Sequence, residues 1–507
     1  MEIGIALDLG SSGFRAQAID LSSGGWLQRA ETLCHPLPGK NVIDHILFSL
    51  TYKDSLAHKI VIKAVNRLIE LTASPEDVEV IAVCGNPTQL ALFTNGELRD
   101  LIYSPDALLR KGISIPKREA QILDGRAIEV NVPCDVLVPP SIKAEVGADA
   151  VAMIMKSGMR NESQAAAIDF GTNAEMAVKS GSCIFVGSAA AGPAIEGQHI
   201  SRGMLAAPGA ICDLEYDWGW KCRVLDESMV PQDGDTVDLK SGAMIKKGNL
   251  RAAGITGTGV MALVSVGLAA GLIDPPRIVT PSRRLMLQDK IAFDENDLVE
   301  AGKAFAALRA GEETLAEAAG VALNDIKTCF LSGATGTFSD PVKVRDLGLI
   351  SAGTKNAHQL GNTSLQMACD LVSGKETLQE MQEIADRAVH VSFFESETFK
   401  ENYLRQYACW CEGARYPGKM IGPAGAAPEL RIFRAPELRA EKPVQYFRPA
   451  YHIAGSKSQE RAASVCPRGA LMQRESGFEL DLGRCLGASC LRCERACVSF
   501  RLGADQD

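Results

Sequence analysis

Five of the chain's 15 cysteines fall in its last 42 residues, as Cys466-Pro467 and then Cys485-x4-Cys490-x2-Cys493-x3-Cys497. Three thiolates on one tight loop, with a fourth from a remote Cys-Pro, have the spacing that holds an iron–sulfur cluster, and a cluster implies electron transfer. Zinc also takes four thiolates, so spacing alone leaves the metal open. The other ten cysteines are scattered and read as small, buried packing residues, Cys409 and Cys411 included.

A second set of residues can hold a triphosphate. Asp8-Leu-Gly10-Ser11-Ser12 follows an apolar run, and Asp169-Phe-Gly171-Thr172-Asn173 follows another; second strands begin at Arg15 and Glu175. In each copy a strand delivers a carboxylate to its C-terminal end, where it can hold Mg²⁺, largely through water. The glycine turn brings backbone N–H groups to phosphate oxygens, and Ser11, Ser12, Thr172 and Asn173 add donors. Phe330-Leu-Ser-Gly333-Ala-Thr-Gly336 is a strand entering a small-residue turn that can admit a flat adenosine against backbone. Gly254-Ile-Thr-Gly-Thr-Gly259 stands before a helical pattern, and close helix packing explains it as well as anion binding does.

These motifs need elements to position them. Amphipathic periodicity predicts a helix over 55–73, and apolar runs predict strands at 78–84, 136–138 and 184–186. Further helices are predicted at 260–269, 300–308, 315–319 and 377–389. Strands alternating with helices indicate an α/β architecture, and the repeated Asp-x-Gly unit indicates two related subdomains. The expected division is 1–145 and 146–395 for the two subdomains, 396–450 for a Pro-rich connector and 451–507 for the cysteine module.

At 46% hydrophobic and 23% charged residues the composition is globular. The net charge of −9 hides an asymmetry. Residues 401–507 carry 16 Lys/Arg and 12 Asp/Glu, a balance of +4, which leaves −13 for residues 1–400. So acidic a body does not suit nucleic acid. The longest apolar stretch, Val260 to Ile273, is short of a membrane span, and the first residues lack the pattern of a secretory signal. A cytoplasmic protein with no membrane or nucleic-acid partner is expected. Glu145, Glu196, His35, His45 and His358 are the remaining polar candidates, with structural roles expected for the histidines.

The phosphate and adenosine motifs, in this order over residues 1 to about 395, resemble the acetate kinase, sugar kinase, Hsp70 and actin superfamily. That resemblance implies two ribonuclease H-like subdomains around ATP and Mg²⁺, with Asp8 and Asp169 catalytic, Gly10, Ser11, Ser12, Gly171, Thr172 and Asn173 on the phosphates, and Gly333 and Gly336 at the adenosine. More specifically, Ile5–Arg15, Leu37–His45, Val83–Leu90, Glu145–Ala150, Ser188–Gly197, Gly203–Asp213 and Gly361–Ser364 resemble blocks of the reductive activases of corrinoid methyltransferase proteins, nearest to those of methylamine systems. The resemblance implies a C-terminal ferredoxin-like domain and ATP-dependent reduction of a partner corrinoid protein from Co(II) to Co(I), fed by a low-potential electron donor. For one electron, about 59 mV of unfavourable gap is a tenfold equilibrium penalty, so coupling to ATP is physically sensible.

One departure stands out. Family members carry two full cysteine runs and two clusters, whereas here the first run has Ser456, Gln459 and Ala462 in place of cysteines. One [4Fe–4S] cluster is therefore expected. Crossed ligation in two-cluster ferredoxins favours Cys466 with Cys485, Cys490 and Cys493; the alternative closes the site with Cys497. Two other functions fit the residues: a low-potential electron donor to an enzyme such as a dehydratase, and a non-redox ATP-dependent chaperone or scaffold with structural cysteines.

Overall fold

The computed structural model describes residues 2–39, 41–52, 55–114, 117–171, 173–192, 194, 197, 199–414, 428–435, 442–454, 463–467, 469–474, 477–482, 485 and 493. The chain forms two compact units. The first comprises Met1–Ala152, Ser364–Asp386 and Glu437–Asp507, the second Met153–Thr363 and Arg387–Pro436. Residues 364–386, which the sequence places inside 146–395, thus cluster with the N-terminal unit.

The first unit is built on β1 (Ile3–Leu9), β2 (Phe14–Asp20), β3 (Trp26–Thr32), β4 (Val78–Gly85), β5 (Gln121–Asp124) and β6 (Asp135–Val138). Every residue of β1 is buried, which is why Ile-Gly-Ile-Ala-Leu-Asp-Leu reads as an unbroken apolar run. The sheet order is Gln445–Phe447, β3, β2, β1, β4, β6, β5. β2 runs antiparallel to both β1 and β3, and β4 and β6 run parallel to β1. Helix Leu56–Thr72 buries Ile60, Val61, Ala64, Val65 and Leu68 against β2 and β3. Gly4 is needed on β1 because a Cβ there would lie 2.8 Å from Leu21 and 2.9 Å from Val372.

The second unit repeats this plan. β7 (Gln164–Asp169), β8 (Ala174–Ser180) and β9 (Cys183–Ala189) form an antiparallel meander. A five-stranded sheet follows, from β10 (Ala210–Tyr216), β11 (Trp220–Leu225), β12 (Pro231–Val237), β13 (Met244–Lys246) and β14 (Gly254–Ile255), in the order β13-β12-β11-β10-β14. Two small hairpins come next, β15 (Ile273–Asp274) with β16 (Arg277–Ile278), and β17 (Arg284–Met286) with β18 (Ala292–Asp294). β19 (Thr328–Ser332), β20 (Asn356–Gly361), β21 (Val389–His390) and β22 (Arg431–Arg434) complete a seven-stranded sheet ordered β21-β9-β8-β7-β19-β20-β22. β19 and β20 are parallel to β7. The core order β9-β8-β7-β19-β20 therefore matches β3-β2-β1-β4-β6 in direction and position, the duplication that the Asp8/Asp169 echo predicts.

Two helices differ from the sequence expectation. The patterns at 300–308 and 315–319 belong to one helix, Glu295–Ala318, opened by a capping box between Asp294 and Asp297. Its Gly311 breaks the sequence pattern but serves packing, since a Cβ there would meet Met176 and the Phe393 ring. The start of the expected connector is helix Glu397–Cys411, which packs along Glu295–Ala318. Fully buried Trp410 meets Phe305 edge-on at 5.1 Å over Gly302, while Arg405 and Gln406 both bond Glu313, at 2.8 and 2.9 Å. The prolines that suggested extended chain all lie beyond this helix. Among the described residues no helix is long and apolar enough to cross a membrane; most of the Val260–Ile273 stretch is the buried helix Gly257–Ala269.

Candidate functional site

In the first unit, β1 carries Asp8 to its C-terminal end. Asp8 faces Arg15 in register, and Arg15 Nη1 donates to Asp8 Oδ2 at 2.9 Å. The Gly10 N–H donates to the Gly13 carbonyl at 3.1 Å, closing a turn with Ser11 and Ser12 half-buried at its tip. Gly85 (φ +156°) lets β4 pass close by, because a Cβ there would sit 2.5 Å from the Leu9 carbonyl oxygen. The neighbouring Cys84 thiol is pushed well up by burial first and then by the charges of Asp149 and Asp8, and it bonds Ser364. Two carboxylates thus act on one buried thiol at the end of the parallel strands. Asp149 stands in the Glu145–Ala150 block but carried no motif of its own.

Behind this hairpin lies a buried polar chain. The Leu37 N–H donates to His35 Nδ1 at 3.0 Å, which leaves the proton of neutral His35 on Nε2. That nitrogen meets Gln89 Oε1 at 2.8 Å, and Gln89 Nε2 meets His45 Nδ1 at 3.1 Å. The direction set by one backbone N–H therefore runs through all three side chains and puts the His45 proton on Nε2, a buried atom without a hydrogen-bond partner. The two rings stack at 3.7 Å. Burial holds His35 down to about 4 and His45 well below the usual range, with His35's charge adding to the effect on His45. Below pH ~6.5 the unfolded chain binds protons that the folded unit refuses. This contribution is complete above the ordinary histidine pKa and is lost as pH falls toward 4, by up to ~1.4 kcal/mol per pH unit for each histidine. The urea midpoint of unfolding should therefore be lower at pH 5 than at pH 7.5; an equal or higher midpoint at pH 5 contradicts the assignment. These histidines are structural, as expected.

In the second unit, β7 carries Asp169 to the equivalent place. Here the residue opposite in register is Glu175, which is 4% exposed, where the first unit has Arg15. Like charges directly across a ladder repel, an arrangement suited to a bound cation. Ser188 Oγ donates to Glu175 at 3.2 Å. Ser332, the last residue of β19 and in register with Asp169, donates from Oγ to Asp169 Oδ2 at 2.9 Å. The same hydroxyl meets Thr363 Oγ1 at 2.8 Å. Gly333 (φ +74°) must be glycine, since a Cβ there would collide with the Asp169 carboxylate. Gly336 lies on the following short helix, Gly333–Phe338, against Phe170 and Leu331. Asp169, Gly171, Asn173, Gly333 and Gly336 thus gather at the C-terminal ends of parallel β7 and β19. Thr172 and Glu196 lie outside the described residues.

Sequence reasoning missed Glu175, Ser332 and Thr363 as polar members of this group. The echo aligned Glu175 with Arg15 only as strand starts, and the change of charge sign was the available signal. Gly259 packs against the Ile211 carbonyl, and Thr256 caps its helix through the Gly259 N–H at 3.1 Å, so this glycine-rich turn serves packing.

Of the five C-terminal cysteines, Cys490 and Cys497 lie outside the described residues. Strands Ala450–Ala454, Gly477–Asp481 and Leu471–Arg474 form a three-stranded antiparallel sheet. At its base the Ala470 N–H donates to Cys466 Sγ at 3.2 Å, the Asp481 N–H to the Ala470 carbonyl at 2.7 Å and the Cys485 N–H to the Asp481 carbonyl at 3.0 Å. A chain of hydrogen bonds thus runs from the Cys466 sulfur through Ala470 and Asp481 to the Cys485 N–H although 18 residues lie between the two cysteines. N–H donation to a sulfur is one of the contacts that tune cluster potential. Among the described residues no group of three or more His, Cys, Asp and Glu is arranged to hold a metal ion.

Comparison with known proteins identifies relatives of the chain. Residues 3–162 match the model described as the RACo middle region, and residues 164–419 match the C-terminal domain of RACo, the ASKHA domain. The chain is 42% identical over 420 residues to the [Co(II) methylated amine-specific corrinoid protein] reductase of Methanosarcina barkeri, covering 81% of this chain and 77% of that one. It is 25% identical to the corrinoid activation enzyme RamQ of Eubacterium limosum, covering 79% and 69%. A solved reductive activator for corrinoid, iron–sulfur protein superposes with a TM-score of 0.64 at 22% identity, over 80% of this chain and 65% of that one. The last likeness speaks to the fold.

Proposed function

The chain belongs to the RACo family of corrinoid-protein activators, and we propose from this premise that it drives the one-electron reduction of a partner's Co(II) corrinoid to Co(I) at the expense of ATP. The observation that carries the reading is the pair of matching strand–carboxylate–glycine hairpins, each at the end of the central strand of a duplicated sheet. The family match supplies the substrate class, and identity to a methylated-amine-specific reductase favours a methylamine-type corrinoid partner.

The residues fit a nucleotide with its metal. Gly10 and Gly333 leave backbone open at the two turns, half-buried Asp169 and buried Glu175 bring two carboxylates into register, and Ser332 bonds the Asp169 carboxylate. Asp8 and Asp169 orient metal and water; Ser11, Ser12, Thr172 and Asn173 donate to phosphates; Gly333 and Gly336 admit the adenosine. Cys466, Cys485, Cys490 and Cys493 would hold a [4Fe–4S] cluster in a ferredoxin-like module, with Cys497 the alternative fourth ligand. The hydrogen-bonded link between Cys466 and Cys485 supports the first set. When bound, ATP·Mg²⁺ supplies the driving force and the cluster a one-electron relay from a low-potential donor. The subdomain limits 1–145 and 146–395, the connector 396–450 and the module 451–507 are part of the same proposal, as is a cytoplasmic location.

Phosphate release tests this reading. Anaerobic protein should hydrolyse ATP slowly alone and several-fold faster with a methylamine-type corrinoid protein in its Co(II) form, but not with the methylated form, because a ligand drives a change only by binding two states differently. Equal rates with both forms would contradict it.

A further inference from the structure

We infer that Gln359 is a positioning residue for the adenosine-side turn and that, through Arg434, it ties this turn to the strand from which the chain runs on to the cysteine module. The inference rests on the nucleotide reading above.

Gln359 sits on β20 and is 3% exposed. Its Nε2 donates to the carbonyls of Gly336, Thr337 and Ser339 at 3.1, 2.7 and 2.8 Å. These are carbonyls at the C-terminal end of helix Gly333–Phe338, which no further helical turn satisfies. Its Oε1 accepts from Arg434 Nε at 3.1 Å. Carbonyls only accept and guanidinium only donates, so the amide has one permitted orientation and both ends are committed.

Arg434 is the last residue of β22, paired with Gln359 in the parallel register, while Phe433 pairs with His358. On the opposite face His358 stacks between Phe330 at 4.8 Å and Phe433 at 4.5 Å. The Arg431 and Ala435 N–H groups donate to the Lys355 and Gln359 carbonyls, each at 2.8 Å. β22 is nevertheless an exposed edge strand; even Phe433 is 46% exposed. Strands with so little burial open locally at low cost, so one bond can bias their docking. A nucleotide that favours the present position of the Gly336–Ser339 carbonyls favours this Gln359 geometry, and with it the docked strand. By linkage, a docked strand favours nucleotide to the same degree.

If Gln359 only satisfied orphan carbonyls, nucleotide would leave β22 untouched. Amide hydrogen exchange of the full chain, with and without the non-hydrolysable analogue AMPPNP, separates the two. The analogue should slow exchange across 428–435 by about fivefold or more in the natural chain, a coupling of ordinary size. Arg434→Met, at an exposed edge and no threat to folding, should abolish that slowing and weaken the analogue by no more than the coupling it removes, about fivefold. Gln359→Met should lose the slowing and weaken the analogue about tenfold. Unchanged exchange at 428–435 in natural protein that binds the analogue overturns the inference and leaves the nucleotide reading intact, as does full slowing in Arg434→Met. Failure of the natural protein to bind AMPPNP overturns the nucleotide reading, and the inference with it.

Discussion

Replacing Asp169 by asparagine is expected to cut ATP hydrolysis by on the order of a hundredfold or more while leaving the chain folded. Phosphoryl transfer to water depends on positioned charge more than on covalent chemistry, so a carboxylate that orients metal and water acts in the transition state. Asparagine keeps the shape of the side chain and can still accept from Ser332 Oγ, now 2.9 Å away. It fits the space that Gly333 leaves open, and it relieves repulsion from Glu175. Any loss of turnover is therefore a loss of charge. Asp8 is a less clean target, because Arg15 Nη1 lies 2.9 Å from its carboxylate and would lose that ion pair, keeping Glu31 at 3.7 Å. Asp8→Ala should also abolish turnover. Phosphate release paired with nucleotide titration reads both variants, and an Asp169→Asn protein that turns over within a few-fold of the natural one removes Asp169 from the machinery.

Cys490→Ser is expected to abolish the cluster. Iron and acid-labile sulfide should fall from about four of each per chain to near zero, since three thiolates do not hold a [4Fe–4S] centre without a substitute ligand. Nucleotide binding should persist, because Cys490 lies far in sequence from every phosphate and adenosine motif. Corrinoid reduction should be lost. Cys466→Ser and Cys497→Ser then decide the fourth ligand. The hydrogen bonds from Cys466 Sγ through Ala470 and Asp481 to Cys485 predict that the first loses the cluster and the second keeps it. Zinc in place of iron in anaerobically prepared protein would sink the electron-transfer role of the module and favour a scaffold.

What could be read from the sequence was what is local. Asp8 and Asp169 announced themselves because a strand, a carboxylate and a glycine turn are consecutive, and their repetition signalled the duplicated sheet. Glu175 and Ser332 were invisible because their roles arise from register, across β7–β8 and β7–β19. Gln359 had no motif at all; its importance comes from facing three carbonyls and an arginine that are distant in sequence. Helix Glu295–Ala318 looked like two because Gly311 interrupts the pattern, whereas tertiary packing against Met176 and Phe393 overrides that local weakness. The sheet β10–β14 escaped because its strands are short, bulged and partly polar; in β12 burial is confined to one end, from Gly234 to Val237, so no alternation marks it as a strand.

The visible spectrum of a methylamine-type corrinoid protein, held in Co(II) form with a strong reductant under anaerobic conditions, tests the central claim most directly. Addition of this chain with ATP and Mg²⁺ should convert it to Co(I), and omission of ATP or substitution of AMPPNP should not sustain the conversion. Co(I) forming at the same rate without nucleotide, or not forming at all in the complete mixture, would contradict the account.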